Sequence, residues 1–525
     1  MRTPPLVATM VLSLLLVLLP QSAWAGVNGW DHVGNGGTPG TTSLNGNVYA
    51  FHADGTDLYV GGSFTNAGGV ASADYIAKWS GTAWSGLAPL NGGVHAIAVT
   101  GGKLYAGGTF TDAGGNPDAD FLAVWDGSSW APFCTSTAPG PAFGGSVSAL
   151  QVIGNTLYVG GAFQNGAAIA SADYLLACNL TTGASSSTVA SDGDMSGAVA
   201  ALTAVGGTLY AGGQFINLGG NAAIDHIGAY DGSWHAMGSG PSAGGGSIDS
   251  FVRALASDGT NVYVGSDSLD IGGIPAADHV ARWNGSSWSA MGSSYFSTLT
   301  TIYALATSGP LVFAGGNFQN ASGDPMSDEI AYWDGAAWHH LGSDGAGNGP
   351  YIGDTTALAT LGARVFTGGS FTSAGGDTLA RGIAQSPIRQ PDAQIATTAT
   401  GPFVGNGVYN ATGSKESATV TVHRGKHGAL YLKFENDGLV SDSYLLHATG
   451  HAKGFAATYT VAGVTVTSQI KAGTYPTGTL APGAAITVKL VVAVANSAGN
   501  SASFLVAATD SGVPTDAVKA VVKAN

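Results

Sequence analysis

One phrase, repeated at nearly constant spacing, restricts this chain to a repeat architecture. The segment Leu58-Tyr-Val-Gly-Gly-Ser-Phe64 returns as Leu104–Phe110, Leu157–Phe163, Leu209–Phe215, Val312–Phe318 and Val365–Phe371, with an altered copy at Val262–Leu269. Its central aromatics are Tyr59, Tyr105, Tyr158, Tyr210, Tyr263, Phe313 and Phe366, and they follow one another at 46, 53, 52, 53, 50 and 53 residues. Units of about this size cannot bury an apolar face alone, so neighbouring copies must stack.

Each unit reads as four strands. The first is short, as in Val94-His-Ala-Ile97, and its third residue is always alanine: Ala50, Ala96, Ala149, Ala201, Ala254, Ala304 and Ala357. A small side chain fits an innermost strand, where space is least. The second strand is the repeated phrase, and its paired glycines read as the point where the strand ends and turns. The third is of the type Asp74-Tyr-Ile-Ala-Lys-Trp79, and dipeptides such as Asp126-Gly127 make the hairpin to the fourth. The fourth opens with Trp84, Trp130, Trp234, Trp288 or Trp338. Ten of the 11 tryptophans fall on third and fourth strands, where large rings fill a widening gap. The last unit lacks a fourth strand, but Trp30-Asp-His-Val-Gly34 matches Trp338-His-His-Leu-Gly342 and stands alone near the N-terminus. The expectation is an all-β, seven-bladed propeller closed by this N-terminal strand, which leaves no exposed sheet edge.

The diglycine and the aromatic-Asp-Gly-x-x-Trp hairpin resemble the kelch repeat of galactose oxidase-like propellers. The fuller pattern is most similar to the repeats of the fungal cortical polarity-marker family and its bacterial exported relatives. The resemblance covers roughly residues 28–388 and implies a propeller domain over 26–388; propellers carry many unrelated activities, so it implies no particular reaction. After Pro391 the period vanishes. Alternating runs such as Ala418–Val422, Leu430–Phe434, Ala457–Val461, Ile486–Val494 and Ala502–Ala508 predict a β-sandwich over 389–525, resembling immunoglobulin- or fibronectin-like modules.

The first 25 residues read as a secretory signal: Arg2, an apolar run from Val11 to Leu19, then Ala23-Trp-Ala25 before the cleavage point. No later stretch approaches the length of a membrane helix, so a secreted or cell-envelope protein without membrane insertion is expected. Residues 26–388 carry 25 acids and 6 bases, a net of −19, while 389–525 carry 7 acids and 10 bases, a net of +3. An acidic body of this kind repels nucleic acid and leaves a glycan or a surface protein as partner.

An aspartate opens the third strand in six units: Asp74, Asp120, Asp173, Asp225, Asp278 and Asp328. Carboxylates in a ring could hold Ca²⁺. A residue present once per unit more readily serves the unit, by accepting backbone N–H bonds of its own loop. No cofactor is therefore expected. The residue before each constant alanine varies instead: Tyr49, His95, Ser148, Ala200, Arg253, Tyr303 and Thr356. Of these, Tyr49, His95, Arg253 and Tyr303 are the ligand-binding candidates. The variable fourth-to-first loops, including Phe143, Tyr295-Phe296 and Tyr351, should share one face with the second-to-third loops. Gly240-Pro-Ser-Ala-Gly244 fits a nucleophile-elbow pattern but lacks the strand-turn-helix setting that activates the serine. His32, His235, His339 and His340 read as exposed positions without a third metal ligand. Cys134 and Cys178, on neighbouring units of an exported chain, either pair or remain as buried thiols. A non-catalytic binding propeller is the expected function. A carbohydrate-active hydrolase or lyase using Asp249, Glu329, Asp344 or Asp354 and a purely structural envelope protein are the alternatives.

Overall fold

The computed structural model describes residues 30–34, 43–134, 142–189, 191, 194–240, 245–292, 300–344, 346–351, 353–509 and 515–525. The signal segment, the serine of Gly240–Gly244 and Tyr295-Phe296 lie outside these residues. Two compact units are present: Gly26–Gln390 with Gly438–Val440, and Pro391–Asp437 with Ser441–Asn525.

The first unit is a series of four-stranded antiparallel sheets. The sheet of Val48–Asp54, Asp57–Gly62, Ile76–Trp79 and Trp84–Gly86 sets the pattern, and sheets whose first strands begin at Val94, Val147, Val199, Val252, Ile302 and Thr355 repeat it. The last of these takes its fourth strand from the N-terminus. Asp31–His32 pairs antiparallel with Ile383–Pro387, Asp31 opposite Gln385 and His32 opposite Ala384.

Neighbouring sheets lock together in two ways. The first is an indole hydrogen bond. The fourth-strand Trp of one sheet donates Nε1–H to a backbone carbonyl three residues beyond the Trp of the sheet before it: Trp84 to Val33 O (2.8 Å), Trp130 to Leu87 O (2.9 Å), Trp288 to Met237 O and Trp338 to Met291 O (2.9 Å). Trp30, fully buried, donates to Leu341 O at 2.8 Å. Trp234 donates to Thr188 O (3.1 Å) of the sheet that has no such Trp. That Trp-less sheet joins the one before it by a disulfide between Cys178 and Cys134, with Cα atoms 5.7 Å apart. Cys134 is the fourth residue after Trp130, so the covalent bond lies where an indole bond lies elsewhere.

The second lock gives the paired glycines a role beyond ending the strand. The pair does close the strand, as its last two residues in six of the seven sheets, but the first glycine is required by the neighbouring sheet and not by a turn. A side chain at Gly61, Gly107, Gly160, Gly212, Gly265, Gly315 or Gly368 would come within 2.2 to 2.7 Å of the residue that opens the next first strand. Those residues are Val94, Val147, Val199, Val252, Ile302, Thr355 and, for Gly368, Val48. Each β-branched side chain fills the hollow that a glycine leaves, which a closely packed interior requires. The second glycine of the pair faces its own first strand: a Cβ at Gly108 would meet Gly93 O at 2.0 Å.

The second unit has two five-stranded sheets. One runs in the order Pro391–Ala396, His427–Asn436, Ala485–Val494, Phe455–Val461, Val464–Thr465. The other runs Ser417–Val422, Asp516–Ala524, Ser501–Thr509, Leu445–Thr449, Tyr475–Pro476, its first two strands parallel. Burial alternates along His427–Asn436, so Leu430, Leu432 and Phe434 face inward. The sequence runs located five of these strands. They left out Pro391–Ala396 and Asp516–Ala524, each of which carries a buried acid, and the shorter Leu445–Thr449, Val464–Thr465 and Tyr475–Pro476.

The disulfide closes 44 residues of chain separation. The double change Cys134→Ser, Cys178→Ser should lower stability by about 2–4 kcal/mol in urea unfolding. Gly107→Ala should cost about 1–3 kcal/mol through its clash with Val147. In a double-mutant cycle Val147→Ala should recover part of that loss, while Val252→Ala, at a distant junction, should simply add to it.

Candidate functional site

The variable residue before each constant alanine has a structural cause for its exposure. In every first strand the pairing register slips between the residue before it and the alanine: Val48/Ala50, Val94/Ala96, Val147/Ala149, Val199/Ala201, Val252/Ala254, Ile302/Ala304 and Thr355/Ala357. The variable residue is thus the extra residue of a β-bulge, released from the ladder and re-aimed. It is half-buried between two buried neighbours in each sheet. The repeat builds the platform, and the side chain is free to differ.

Adjacent bulges bring the candidates into two groups. The rings of Tyr49 and His95 stack in parallel, centroids 4.7 Å apart and planes 4° apart. Tyr49 OH donates to Ser63 Oγ at 3.2 Å. Burial pushes the His95 imidazole below its ordinary value, so it is neutral at pH 7. Around the series, Arg253 forms a two-pronged ion pair with Asp267, through Nε at 3.0 Å and Nη2 at 2.8 Å. Its guanidinium carbon also lies 4.3 Å from the Phe251 ring centroid and 5.8 Å from that of Tyr303. Asp267 thereby neutralises the charge that Arg253 would bring to a ligand.

The second-to-third loops reach the same end of the sheets as the loops leading into the first strands. Gly68, Gly219, Gly272 and Gly375 donate their N–H to Ser43, Asp194, Ser247 and Pro350 carbonyls at 2.8 to 2.9 Å. The repeated aspartates hold these loops. Asp74, Asp120, Asp173, Asp225, Asp278 and Asp328 each accept, through Oδ1, the backbone N–H eight residues earlier, at 2.7 to 3.0 Å. The donors Asn66, Asp112, Asn165, Asn217, Asp270 and Asn320 all have φ near 52°, a left-handed conformation that Asn and Asp tolerate best. These carboxylates are scaffold.

Two features at this end break the repeat. Glu329 follows Asp328 at φ 59°, and burial, with Asp328 and Asp354 adding, pushes its carboxyl up to about 8. Its Oε2 is buried without a hydrogen-bond partner. The other feature is His32, which the sequence read as an exposed slot. It is half-buried, with Nδ1 2.8 Å from Asp377 Oδ2 and 3.2 Å from Asp31 Oδ1. These three side chains are close enough to share a metal ion. The same pair recurs in the preceding sheet as His340 Nδ1 to Asp324 Oδ2, 2.7 Å, with no third acid, which marks it as a clip between fourth strand and loop. His235 and His339 bond Asp231 and Asp334 of their own hairpins. Tyr351 stacks on Phe371 at 4.4 Å and is buried in packing.

The second unit holds a constellation that sequence reasoning missed. Asp392, Glu435 and Asp437 offer oxygens that all lie within 4.8 Å of one another. Asp392 stands directly opposite Glu435 across an antiparallel pair. Burial pushes the Asp392 carboxyl up to about 7. Asp516 accepts the N–H groups of Ala393 (2.6 Å), Asn410 (2.7 Å) and Ala517 (2.9 Å). Burial pushes Glu416 and Asp516 upward, with the charge of Asp516 adding at Glu416 and that of Asp392 adding at Asp516. The available signal is an acid set inside or beside strand-like runs: Glu435 extends the run Leu430–Phe434 within the strand His427–Asn436, and Asp437 follows it.

Among the described residues no helix is long and apolar enough to cross a membrane. No protein-family model matches the chain, and no curated protein matches it. Solved structures give slight similarities. The S-layer protein SbsC domains 4 and 5 match at 13% identity and TM-score 0.13, over 21% of this chain and 48% of that one. The N-terminal domain of PorA matches at 11% identity and TM-score 0.16, over 25% and 97%. The secreted serine protease VesC from Vibrio cholerae matches at 12% identity and TM-score 0.15, over 31% and 36%. The chain thus spans about half of the SbsC fragment's length, and likenesses this slight carry no argument about fold or activity.

Proposed function

We propose that the first unit is a closed, seven-bladed, kelch-like propeller of an exported protein, and that it binds a glycan without transforming it. Closure is supported by the two locks returning to their start: Trp30 bonds Leu341 and Trp84 bonds Val33, while Gly368 receives Val48. Export is supported by the leader-like sequence at the N-terminus.

The observation that carries the binding reading is the bulge at every first strand. It displays a variable side chain on a constant scaffold, at the end where the loops gather. Ring faces, hydroxyls and a neutral imidazole at Tyr49, His95 and Ser63 suit a neutral, hydroxylated ligand. The net charge of −19 over residues 26–388 disfavours an anionic one.

A hydrolase reading has one observation in its favour, the raised carboxyl of Glu329 beside Asp328 and Asp354. It fits less well, because no acid–base pair is shown in register with the Tyr49–His95 pair.

Glycan-array binding by the full chain, followed by calorimetry on the best hit, tests the proposal. Tyr49→Ala and His95→Ala should each weaken binding at least tenfold, about 1.4 kcal/mol, without moving the unfolding midpoint by more than a few degrees. Undiminished binding by both variants, or retention only of a protein partner, would count against it. Glu329→Gln should leave glycan binding unchanged, and no product should form on any bound glycan; turnover abolished by this change would establish the hydrolase instead.

A further inference from the structure

The second unit, although basic overall, gathers buried carboxyl groups in one place. Asp392, Glu416 and Asp516 are fully buried, Glu435 is half-buried and Asp437 is exposed. Charge and space link them in a row, with Glu416 beside Asp516 and Asp392, and Asp392 beside Glu435 and Asp437. The cation bonded within the row is Lys433, whose Nζ donates to Glu435 Oε2. Like charges directly opposite in a sheet repel, and buried carboxylates without a counter-charge are among the costliest arrangements a fold can hold.

Two hydrogen-bond deficits point to a missing positive ligand. Glu416 Oε1 is buried and has no hydrogen-bond partner, although Asn410 Nδ2 donates to its other oxygen. The Glu416 carboxyl lies against that of Asp516 and within the field of Asp392, where a shared proton or a cation is needed. Gln394 Nε2 meets three acceptors: Asp392 Oδ2, Asn406 Oδ1 (2.9 Å) and Glu435 Oε2 (3.0 Å). One amide nitrogen carries two hydrogens, so three oxygens compete for two donors. Turning this amide over would add a further oxygen to the group.

We propose that the Asp392–Glu435–Asp437 end of the second unit is a binding site for a hard divalent cation, calcium in particular, with Asn406 and Gln394 supplying neutral oxygens and Glu416 completing the acidic wall. Calcium takes six to eight oxygen ligands in flexible geometry, which suits a set drawn from separate strands and loops. Magnesium demands near-ideal octahedral geometry and holds its water more tightly, so it fits this set less well. No cysteine or histidine is in the set, which disfavours zinc and copper. The site is distinct from the repeated aspartates of the first unit, which among the described residues do not gather into a group that could share an ion. Asp392 Oδ1 does accept the Gly407 N–H (3.1 Å), and Asp437 Oδ2 the Tyr409 hydroxyl (2.9 Å).

The test uses the full chain freed of metal with a chelator. Calorimetric titration with CaCl₂ should show one bound ion per chain, and 1 mM CaCl₂ should raise an unfolding midpoint by several degrees, with MgCl₂ giving a smaller shift. Asp437→Asn, at the exposed member, should weaken calcium binding at least tenfold. Its own midpoint without calcium should match or exceed that of the parent, because one repelling charge is gone. If Asp437→Asn proves unstable, Glu435→Gln serves in its place. Asp120→Asn, in the first unit, should leave calcium binding unchanged. Absence of calcium binding at 1 mM, combined with a midpoint that climbs as pH falls from 8 to 6, would overturn the proposal, for protons would then be the neutralising ligand. Calcium binding unaffected by both Asp437→Asn and Glu435→Gln would overturn it equally.

Discussion

The junction between neighbouring sheets is the constraint on which the first unit depends. No single four-stranded sheet of this size could bury its tryptophans and its apolar first strand by itself. Each therefore borrows from the next. An indole N–H finds its acceptor on the sheet before, and a glycine hollow receives a β-branched side chain from the sheet after. A buried indole left without an acceptor would cost about 1–3 kcal/mol, so each of these bonds specifies its neighbour as well as stabilising it. Where the Trp is absent, Cys134 and Cys178 hold the junction covalently, in the sheet that departs furthest from the repeat.

The same economy explains where variation is allowed. The first glycine of each pair is fixed by a contact that recurs in every sheet, and the loop aspartate by a bond that recurs in six of the seven. The bulge residue is not, because the slipped register frees it from the ladder. Tyr49 and His95, or Arg253 and Tyr303, can differ from sheet to sheet without disturbing the junctions beneath them. Recognition on this unit is thus separated from stability by one residue of register. The second unit reverses the relation: its acids sit in the structural core, so whatever neutralises them also stabilises the fold.

The sequence carried the repeat, the four-strand unit and the identity of Trp30-Asp-His as a displaced fourth strand, because spacing and composition repeat in one dimension. It also carried the role of the loop aspartates, since the αL-prone residue and its acceptor lie eight positions apart in the same loop. It placed the paired glycines at the end of the strand but not against the neighbouring sheet. A glycine required by a neighbour fifty residues away looks the same, locally, as one required by a turn.

What the sequence determined by itself is periodic: an all-β chain of repeated four-stranded units followed by a non-repeating β module. What only the tertiary structure decided is which side chains meet. His32 joins Asp377 across 345 residues, Cys134 meets Cys178, and Asp392 comes to lie against Glu435 with Asp516 nearby. Such encounters depend on strand register and on the stacking of sheets, and neither leaves a local mark in the chain. Local chemistry wrote the scaffold legibly; the charged cluster became visible only when distant strands were laid side by side.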